Sequence, residues 1–263
     1  MQRPILDIPV IVTVSDDYLP LLKVFCFLFN KNWSDQQPVQ IFGFREPDFS
    51  LPANFTFISL GKQQGPPYFT QDLYNILEQV NSDIFIHMVE HEFLLKPIRL
   101  EILQDLIEDA KTYDKVGRID LTLGPSLRSH EVLEKRDKYS LIQLTQAATY
   151  RVSLRLNIWK TSWMRKFLFQ GLDPWQFELM GSQAALNDGH RVMATKEEVV
   201  AHIMDGVIIH RGKDIMDLRA LKEDSRSTYN RGVDEGDIKE MVDAGHIEEI
   251  REGQWAGLFR VRL

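Results

Sequence analysis

The stretch that decides the fold is "DIFIHMVEHEFLLKPI", residues 83–98. Its beginning is rich in β-branched and aromatic residues, which is typical of a buried strand. Glu90, His91 and Glu92 follow that strand directly, and a second apolar run comes after them. Charged groups beside a core cost free energy unless they are paired or bound to a metal. The triplet therefore indicates either a solvated turn or a ligand site.

Strand and helix patterns alternate around this stretch through the first half of the chain. Further strands are predicted at 8–14, 38–44, 55–61 and 116–124, and helices at 18–32, 70–83 and 98–114. This order predicts an α/β fold with a mostly parallel sheet and helices on both of its faces. Ligands bind outside the carboxyl ends of the strands in such sheets, and that is where "MVEHE" and "TVSDD" lie.

The second half of the chain is less regular. Its apolar spacing predicts amphipathic helices at 157–171 and 173–189 and short strands at 190–195 and 206–213. The more charged residues from 214 to 263 are predicted to form a C-terminal helical appendage. We therefore divide the chain into a domain of residues 1–213, with halves at 1–124 and 125–213, and the appendage.

Composition restricts the class of protein. The net charge of −7 and the acidic 234–249 segment argue against nucleic-acid binding. No apolar run is long enough for a signal peptide or a membrane span, which predicts a soluble, cytoplasmic protein. The single cysteine, Cys26, lies in an apolar run and is predicted to be a core residue. The C-terminal helices could pack on the domain or mediate homo-oligomer formation.

The acidic triplet and a second motif together resemble a known family. The order of elements is similar to that of GT-A fold glycosyltransferases, which have a Rossmann-like nucleotide-binding half and an acidic Asp-x-Asp motif at this position. The stretch "YRVSLRLNIWKTSWMRKFLFQGLDPWQFELMGS" (150–182) resembles small bacterial and phage-type glycosyltransferases that have a Trp-containing helix followed by a Pro-Trp-Glu-Phe-Glu-like motif. The resemblance covers roughly residues 8–213 and implies that residues 1–124 are a nucleotide-binding half and residues 125–213 an acceptor half.

The resemblance implies a donor site for a nucleotide-sugar, with UDP-sugar as the expected donor. Glu92 matches the usual ligand of Mn²⁺ or Mg²⁺, and Glu90 matches the acid that faces the ribose or the water shell of the metal. Glutamates in place of aspartates are a departure from the family pattern. Oxygen ligands suit both ions, and an imidazole favours Mn²⁺. His210 is the preferred further metal ligand, with His202 as the other candidate.

Other donor contacts are expected after the first strand and in the "LGKQQG" loop. Ser15 and Asp16 are candidates for the nucleotide base and ribose, although Asp16 could instead cap a helix. Lys62 could contact a phosphate or be an ordinary surface lysine. Arg211 and Lys213 could screen the diphosphate charge.

The "DPWQFE" motif supplies the predicted catalytic base and acceptor contacts. Glu178 matches the acid beside the acceptor, and a base there implies an inverting hexosyltransferase. A glutamate in the first turns of a helix is the structural alternative. Trp175 and Phe177 could form an apolar platform for a glycan acceptor, or they could be core residues.

Two other functions are compatible with the same pattern. A nucleotidyltransferase has a similar sheet and metal carboxylate, but "TVSDDYLPLL" lacks a glycine-rich phosphate-binding turn. A binding protein that kept the fold and lost catalysis is the other alternative, because the Glu-His-Glu triplet differs from Asp-x-Asp.

Overall fold

The computed structural model describes residues 5–122, 129–203, 215–218, 232–251 and 258–262. Within them the chain is a mixed α/β protein built on one large sheet. In spatial order, its strands are β3 (Phe55–Ser59), β2 (Val39–Gly43), β1 (Val10–Thr13), β4 (Ile84–Val89), β9 (Asn157–Lys160), β6 (Val116–Asp120), β10 (Arg191–Thr195), β8 (Ser140–Leu144) and β7 (His130–Lys135).

Most strands of this sheet run in one direction. The neighbouring pairs from β3 to β4 are parallel, and so is the pair of β6 with β10. Strands β9 and β8 run the opposite way, each between two neighbours. The prediction of a mostly parallel sheet is confirmed for the described residues.

Helices cover both faces of the sheet. They are α1 (Leu22–Asn32), α2 (Phe69–Gln79), α3 (Leu100–Thr112), α4 (Thr161–Met164), α5 (Pro174–Ala184) and α6 (Glu235–Asp243), with short 3-10 helices at Asp16–Leu21, Pro66–Tyr68 and Arg165–Phe167. Successive residues of a strand point to opposite faces, so Ile11 and Phe85 pack with α2 and α5. Val12 and Ile86 pack with α1 and α3 on the other face.

The helix predicted at 157–171 is wrong in its first part. Asn157–Lys160 form the central strand β9, and only Thr161–Met164 form an α-helix before a 3-10 turn. The strand satisfies its backbone by pairing with both β4 and β6, which outweighs the helical spacing of the apolar side chains. Trp159 and Trp163 are nevertheless buried, as expected of core residues.

Gly117 in β6 makes room for one of these tryptophans. A Cβ atom at this glycine would lie 2.3 Å from the indole of Trp163. The tryptophan therefore packs directly on the backbone of the strand, and no larger residue fits there without a shift.

The C-terminal residues include strands as well as a helix. Strand β12 (Ile215–Met216) pairs with β14 (Phe259–Val261), which pairs with β13 (Ile247–Glu249). The prediction of helix at Ile215–Met216 is therefore wrong. Lys31 of α1 lies 2.7 Å from Asp237 and 2.8 Å from Glu240 of α6. The predicted boundary between residues 213 and 214 lies outside the described residues. None of the helices in the described ranges is long and apolar enough to cross a bilayer.

Candidate active site

Strand ends and a loop converge at the carboxyl edge of the central sheet. Strands β1, β4 and β6 run toward this edge, and the antiparallel β9 begins there. Its first residue, Asn157, pairs with His87 near the end of β4 and with Asp120 at the end of β6. Residues just before Asn157 therefore lie immediately outside the strand ends, where α/β sheets hold their ligands.

The Glu-His-Glu triplet forms a tight turn at the end of β4. The Glu92 backbone N–H donates to the Val89 carbonyl at 3.1 Å, and the short strand β5 (Phe93–Leu94) follows. The Glu90 side chain is buried, with Oε1 3.1 Å from Nδ1 of His91. The His91 ring lies 5.4 Å from the ring of Tyr18, so the turn packs against the segment that follows β1.

Glu92 is fully buried and accepts two backbone hydrogen bonds. The N–H of Leu156 donates to Oε1 at 2.9 Å, and the N–H of Val89 donates to Oε2 at 3.3 Å. Burial raises the pKa of Glu92 to about 7, and the positive charge of Arg155 and the two amides oppose that rise. In the described residues this carboxylate holds the turn against the loop before β9.

Glu178 lies on α5, which begins at a well-defined cap. Asp173 accepts a hydrogen bond from the Gln176 amide, the Gln176 side chain accepts one from the Asp173 amide, and Pro174 occupies the first turn. Glu178 is half-buried, and its Oε1 accepts a hydrogen bond from the Leu154 amide at 2.6 Å. Burial raises its pKa.

Residues 153–157 connect the two sequence motifs, and we call them the linking segment. Glu178 from "PWQFE" holds the Leu154 amide, and Glu92 from "VEHE" holds the Leu156 amide. Nδ1 of His87 lies 3.0 Å from the Leu154 carbonyl. Two motifs that are about 80 residues apart in the chain are thus joined through side chains that bind one short stretch of backbone.

His87 also ties the linking segment to β1. Its Nε2 lies 3.1 Å from the Thr13 hydroxyl, and the ring is fully buried. Burial lowers the pKa of His87 to about 4, so the ring is neutral at pH 7. The neutral ring donates from Nδ1 to the Leu154 carbonyl and accepts the Thr13 hydroxyl hydrogen at Nε2.

The end of β6 contributes a buried polar cluster beneath the linking segment. Arg118 is fully buried and donates to Asn157 Oδ1 at 2.6 Å and to the Tyr150 carbonyl at 3.0 Å. Its guanidinium lies 3.4 Å from Oδ2 of Asp120, and Oδ1 of the same carboxylate accepts hydrogen bonds from the amide and hydroxyl of Thr122. These contacts fix the start of β9 and the loop that precedes it.

The predicted donor residues lie around the end of β1. Ser15 is the cap residue of the 3-10 helix, without a side-chain capping bond, and Asp16 is its first residue. The Asp16 carboxylate accepts from the Arg45 amide at 2.9 Å, and the Asp16 amide donates to Gln63 Oε1 at 3.0 Å. Exposed Lys62 is the neighbour of Gln63, so this bond brings its loop to the same strand end.

The two aromatic residues of "PWQFE" have different surroundings. Trp175 is 71% exposed on α5 and is available to a ligand. Phe177 is fully buried with its ring 5.9 Å from that of Phe69, so it offers no face to a sugar and is part of the core. Of the proposed aromatic platform, only Trp175 is open to solvent.

The described residues do not by themselves complete a metal site. No group of three or more His, Cys, Asp or Glu side chains within them could hold a metal ion, and the Glu92 oxygens already accept amide hydrogens. His202, in β11 (His202–Ile203), has Nε2 3.0 Å from Nη2 of Arg155. His210, Arg211 and Lys213 lie outside the described residues.

Three residues of the site were not predicted from the sequence: His87, Arg155 and Asn157. Each is a polar residue beside or within an apolar strand, which is the signal that could have identified them. Their partners are distant in the chain, so their contacts required the assembled sheet.

Comparison with known proteins gives only distant likenesses. No family model matches the sequence, and neither does any curated protein. The chain is similar to residues 1–349 of S. aureus TarS, with 12% identity over 73% of this chain and 58% of that one and a TM-score of 0.49. It is similar to the mannosyltransferase PcManGT from Pyrobaculum calidifontis, solved with GDP-Man and Mn²⁺, with 13% identity over 76% of this chain and 58% of that one and a TM-score of 0.44. It is also similar to bifunctional IspDF from Campylobacter jejuni, with 17% identity over 77% of this chain and 52% of that one and a TM-score of 0.41. This chain therefore spans less than two thirds of each of these proteins, and what it binds is inferred from its own residues.

Proposed function

We propose that this protein is a glycosyltransferase that moves a sugar from a nucleotide-sugar, with UDP-sugar as the expected donor, to a hydroxyl group of a glycan acceptor. One observation supports this proposal above the others. The acidic triplet expected at the donor and the glutamate expected at the acceptor bind neighbouring amides of the linking segment. Both side chains thus contact the same segment at the carboxyl edge of the sheet, where α/β sheets commonly hold their ligands.

The proposed donor contacts come from β1 and β4. Ser15 and Asp16 would contact the base and ribose, and Lys62 would approach a phosphate. Glu90 would face the diphosphate, and a divalent cation, Mn²⁺ or Mg²⁺, would neutralise the charge of the leaving group when bound. Glu92 is proposed as a ligand of that cation and would exchange its amide hydrogen bonds for it. A further ligand to that cation, His210, is proposed from sequence alone.

The proposed chemistry is an inverting displacement with Glu178 as the base. The acceptor oxygen attacks the anomeric carbon, the bond from that carbon to the diphosphate breaks, and the nucleoside diphosphate leaves with the electron pair. Glu178 takes the proton of the acceptor hydroxyl. Burial raises the pKa of Glu178 and so increases its affinity for this proton. Exposed Trp175, three residues earlier on α5, is the proposed apolar contact to the acceptor.

Calorimetry tests the donor part of this proposal. UDP is titrated into the wild-type protein with and without Mn²⁺, and into Glu92→Gln and Glu101→Gln. Glu101 is an exposed glutamate in the first turn of α3 and serves as the matched control. We expect metal-dependent UDP binding that Glu92→Gln loses and Glu101→Gln keeps. If neither UDP nor another nucleoside diphosphate binds under any condition, the proposal is wrong.

Glu178→Gln tests the acceptor part. We expect it to bind UDP as the wild-type protein does and to lose sugar transfer to a panel of glycan acceptors, measured by release of UDP. Full transfer by this variant would exclude Glu178 as the base. Release of diphosphate from a nucleoside triphosphate by the wild-type protein would instead assign a nucleotidyltransferase.

A further inference from the structure

Arg155 occupies the centre of the linking segment. It lies two residues before Asn157, and therefore just outside the carboxyl ends of β4 and β6. The amides on either side of it, those of Leu154 and Leu156, are bound by Glu178 and Glu92. The backbone at Arg155 is thus fixed, while its side chain is only half-buried.

The positive charge of Arg155 acts on both carboxylates of the site. It counteracts the burial that raises the pKa of Glu92 and, more weakly, that of Glu178. An anionic ligand that enters beside Glu90, Glu92 and Glu178 needs a cation there, because the chain as a whole carries a net charge of −7. Arg155 is a cation at this position.

The guanidinium of Arg155 is oriented by His202. Because a guanidinium can only donate, Nε2 of His202 accepts a hydrogen bond from Nη2 of Arg155 at 3.0 Å. The Nε atom of Arg155 is buried and has no hydrogen-bond partner within the described ranges. The guanidinium is therefore held in place and keeps N–H groups that can donate to a ligand. Such a planar group can form bidentate hydrogen bonds with phosphate oxygens.

We infer that Arg155, positioned by His202, binds the diphosphate group of a nucleoside diphosphate ligand. This inference rests on the proposed function, since it assigns a residue to the leaving group of the same donor. It differs from a purely structural role, in which Arg155 would only balance the charge of Glu92 and Glu178. A structural role would affect every ligand of the site equally, whereas a diphosphate contact affects only ligands that carry phosphate.

The test compares a nucleoside diphosphate with its own nucleoside. The wild-type protein is first titrated with UDP, GDP, CDP and ADP in the presence of Mn²⁺, and the tightest ligand and its nucleoside become the two probes. Arg155→Gln is then measured against Arg251→Gln, in which an exposed arginine far along the chain is replaced. We expect Arg155→Gln to weaken diphosphate binding about tenfold or more, and nucleoside binding to stay unchanged. Arg251→Gln should change neither.

The possible outcomes separate this inference from the proposed function. If the wild-type protein binds none of the four diphosphates, the proposed function fails and the inference fails with it. If the wild-type protein binds a diphosphate and Arg155→Gln binds it equally well, or loses diphosphate and nucleoside to the same extent, only the inference is overturned. If Arg155→Gln does not fold, Arg155→Lys is used, because it keeps the charge and loses the planar fork. It should weaken the diphosphate severalfold and spare the nucleoside, and wild-type affinity for both would overturn the inference.

Discussion

His87→Asn should remove a pH-dependent part of the free energy of unfolding. His87 is fully buried between the Thr13 hydroxyl and the Leu154 carbonyl. Burial lowers its pKa from 6.5 to about 4. The unfolded chain therefore takes up a proton before the native state does as the pH falls. The stabilisation from neutral His87 is complete above pH 6.5 and is lost as the pH falls through about 4.

The size of this effect follows from the pKa difference. The shift from 6.5 to about 4, at 1.36 kcal/mol for each pKa unit, corresponds to about 3 kcal/mol over the whole range. Roughly 2 kcal/mol of this is lost between about pH 7 and about pH 5. Asparagine keeps a donor near the position of Nδ1 and does not titrate in this range. The lost contact to Thr13 should add an offset that is independent of pH.

Urea unfolding followed by circular dichroism measures the prediction. Wild type, His87→Asn and the control His130→Asn, in strand β7, are unfolded at about pH 7, 6 and 5. The difference in unfolding free energy between wild type and His87→Asn is the quantity of interest, because Glu92, whose pKa burial raises to about 7, makes wild type less stable as the pH rises. We expect this difference to shrink by about 2 kcal/mol toward pH 5. A difference that stays constant over this range, or shrinks equally for His130→Asn, would refute the reasoning.

Three further predictions concern packing and capping. Gly117→Ala places a Cβ 2.3 Å from the Trp163 indole, so it should lower the free energy of unfolding by about 1–3 kcal/mol. Adding Trp163→Leu should recover part of that loss. Equal stability of Gly117→Ala and wild type would show that the ring moves freely. Phe177→Ala should lower the free energy of unfolding by about 3–5 kcal/mol because the ring is fully buried. Trp175→Ala, at a residue that is 71% exposed, should leave it nearly unchanged. The reverse order would contradict the burial of these two side chains on α5. Asp173→Ala removes the capping box of α5 and should lower the free energy of unfolding by about 1 kcal/mol. Asp35→Ala, at an exposed aspartate, is the control. No difference between the two variants would mean that the cap does not stabilise the helix.

The first half of the fold was predictable from sequence because its signals are local. The strands from β1 to β4 are short apolar runs bounded by turns, and α2 and α3 show a helical apolar face. Strand β9 was not predictable in the same way, because tryptophans at positions 159 and 163 fit a helix face equally well. Its conformation is decided by β4 and β6, which are remote in the sequence. Strand β7 was missed because its residues are largely polar or exposed.

The site shows the same limit. The positions of Glu90, Glu92 and Asp16 follow from where strands end, and Glu178 came from a motif resemblance. Sequence alone could not show that Glu92 binds the amide of Leu156, a residue 64 positions later. Nor could it show that Arg155 meets His202, 47 positions later. Such contacts depend on which strands become neighbours.

The place of β9 between β4 and β6 also has a consequence for synthesis of the chain. When residues up to 122 have left the ribosome, β4 and β6 are complete, but the strand that joins them is still to be made. Each then has an edge with free backbone groups, and such edges pair readily with other chains. Arrival of residues 157–160 covers the facing edges of β4 and β6 in one step and brings Arg155 to the strand ends at the same time. Joining β4 to β6 and placing Arg155 are therefore one folding event, which precedes synthesis of α5 and β10, and a slow step there would expose the nascent chain to aggregation.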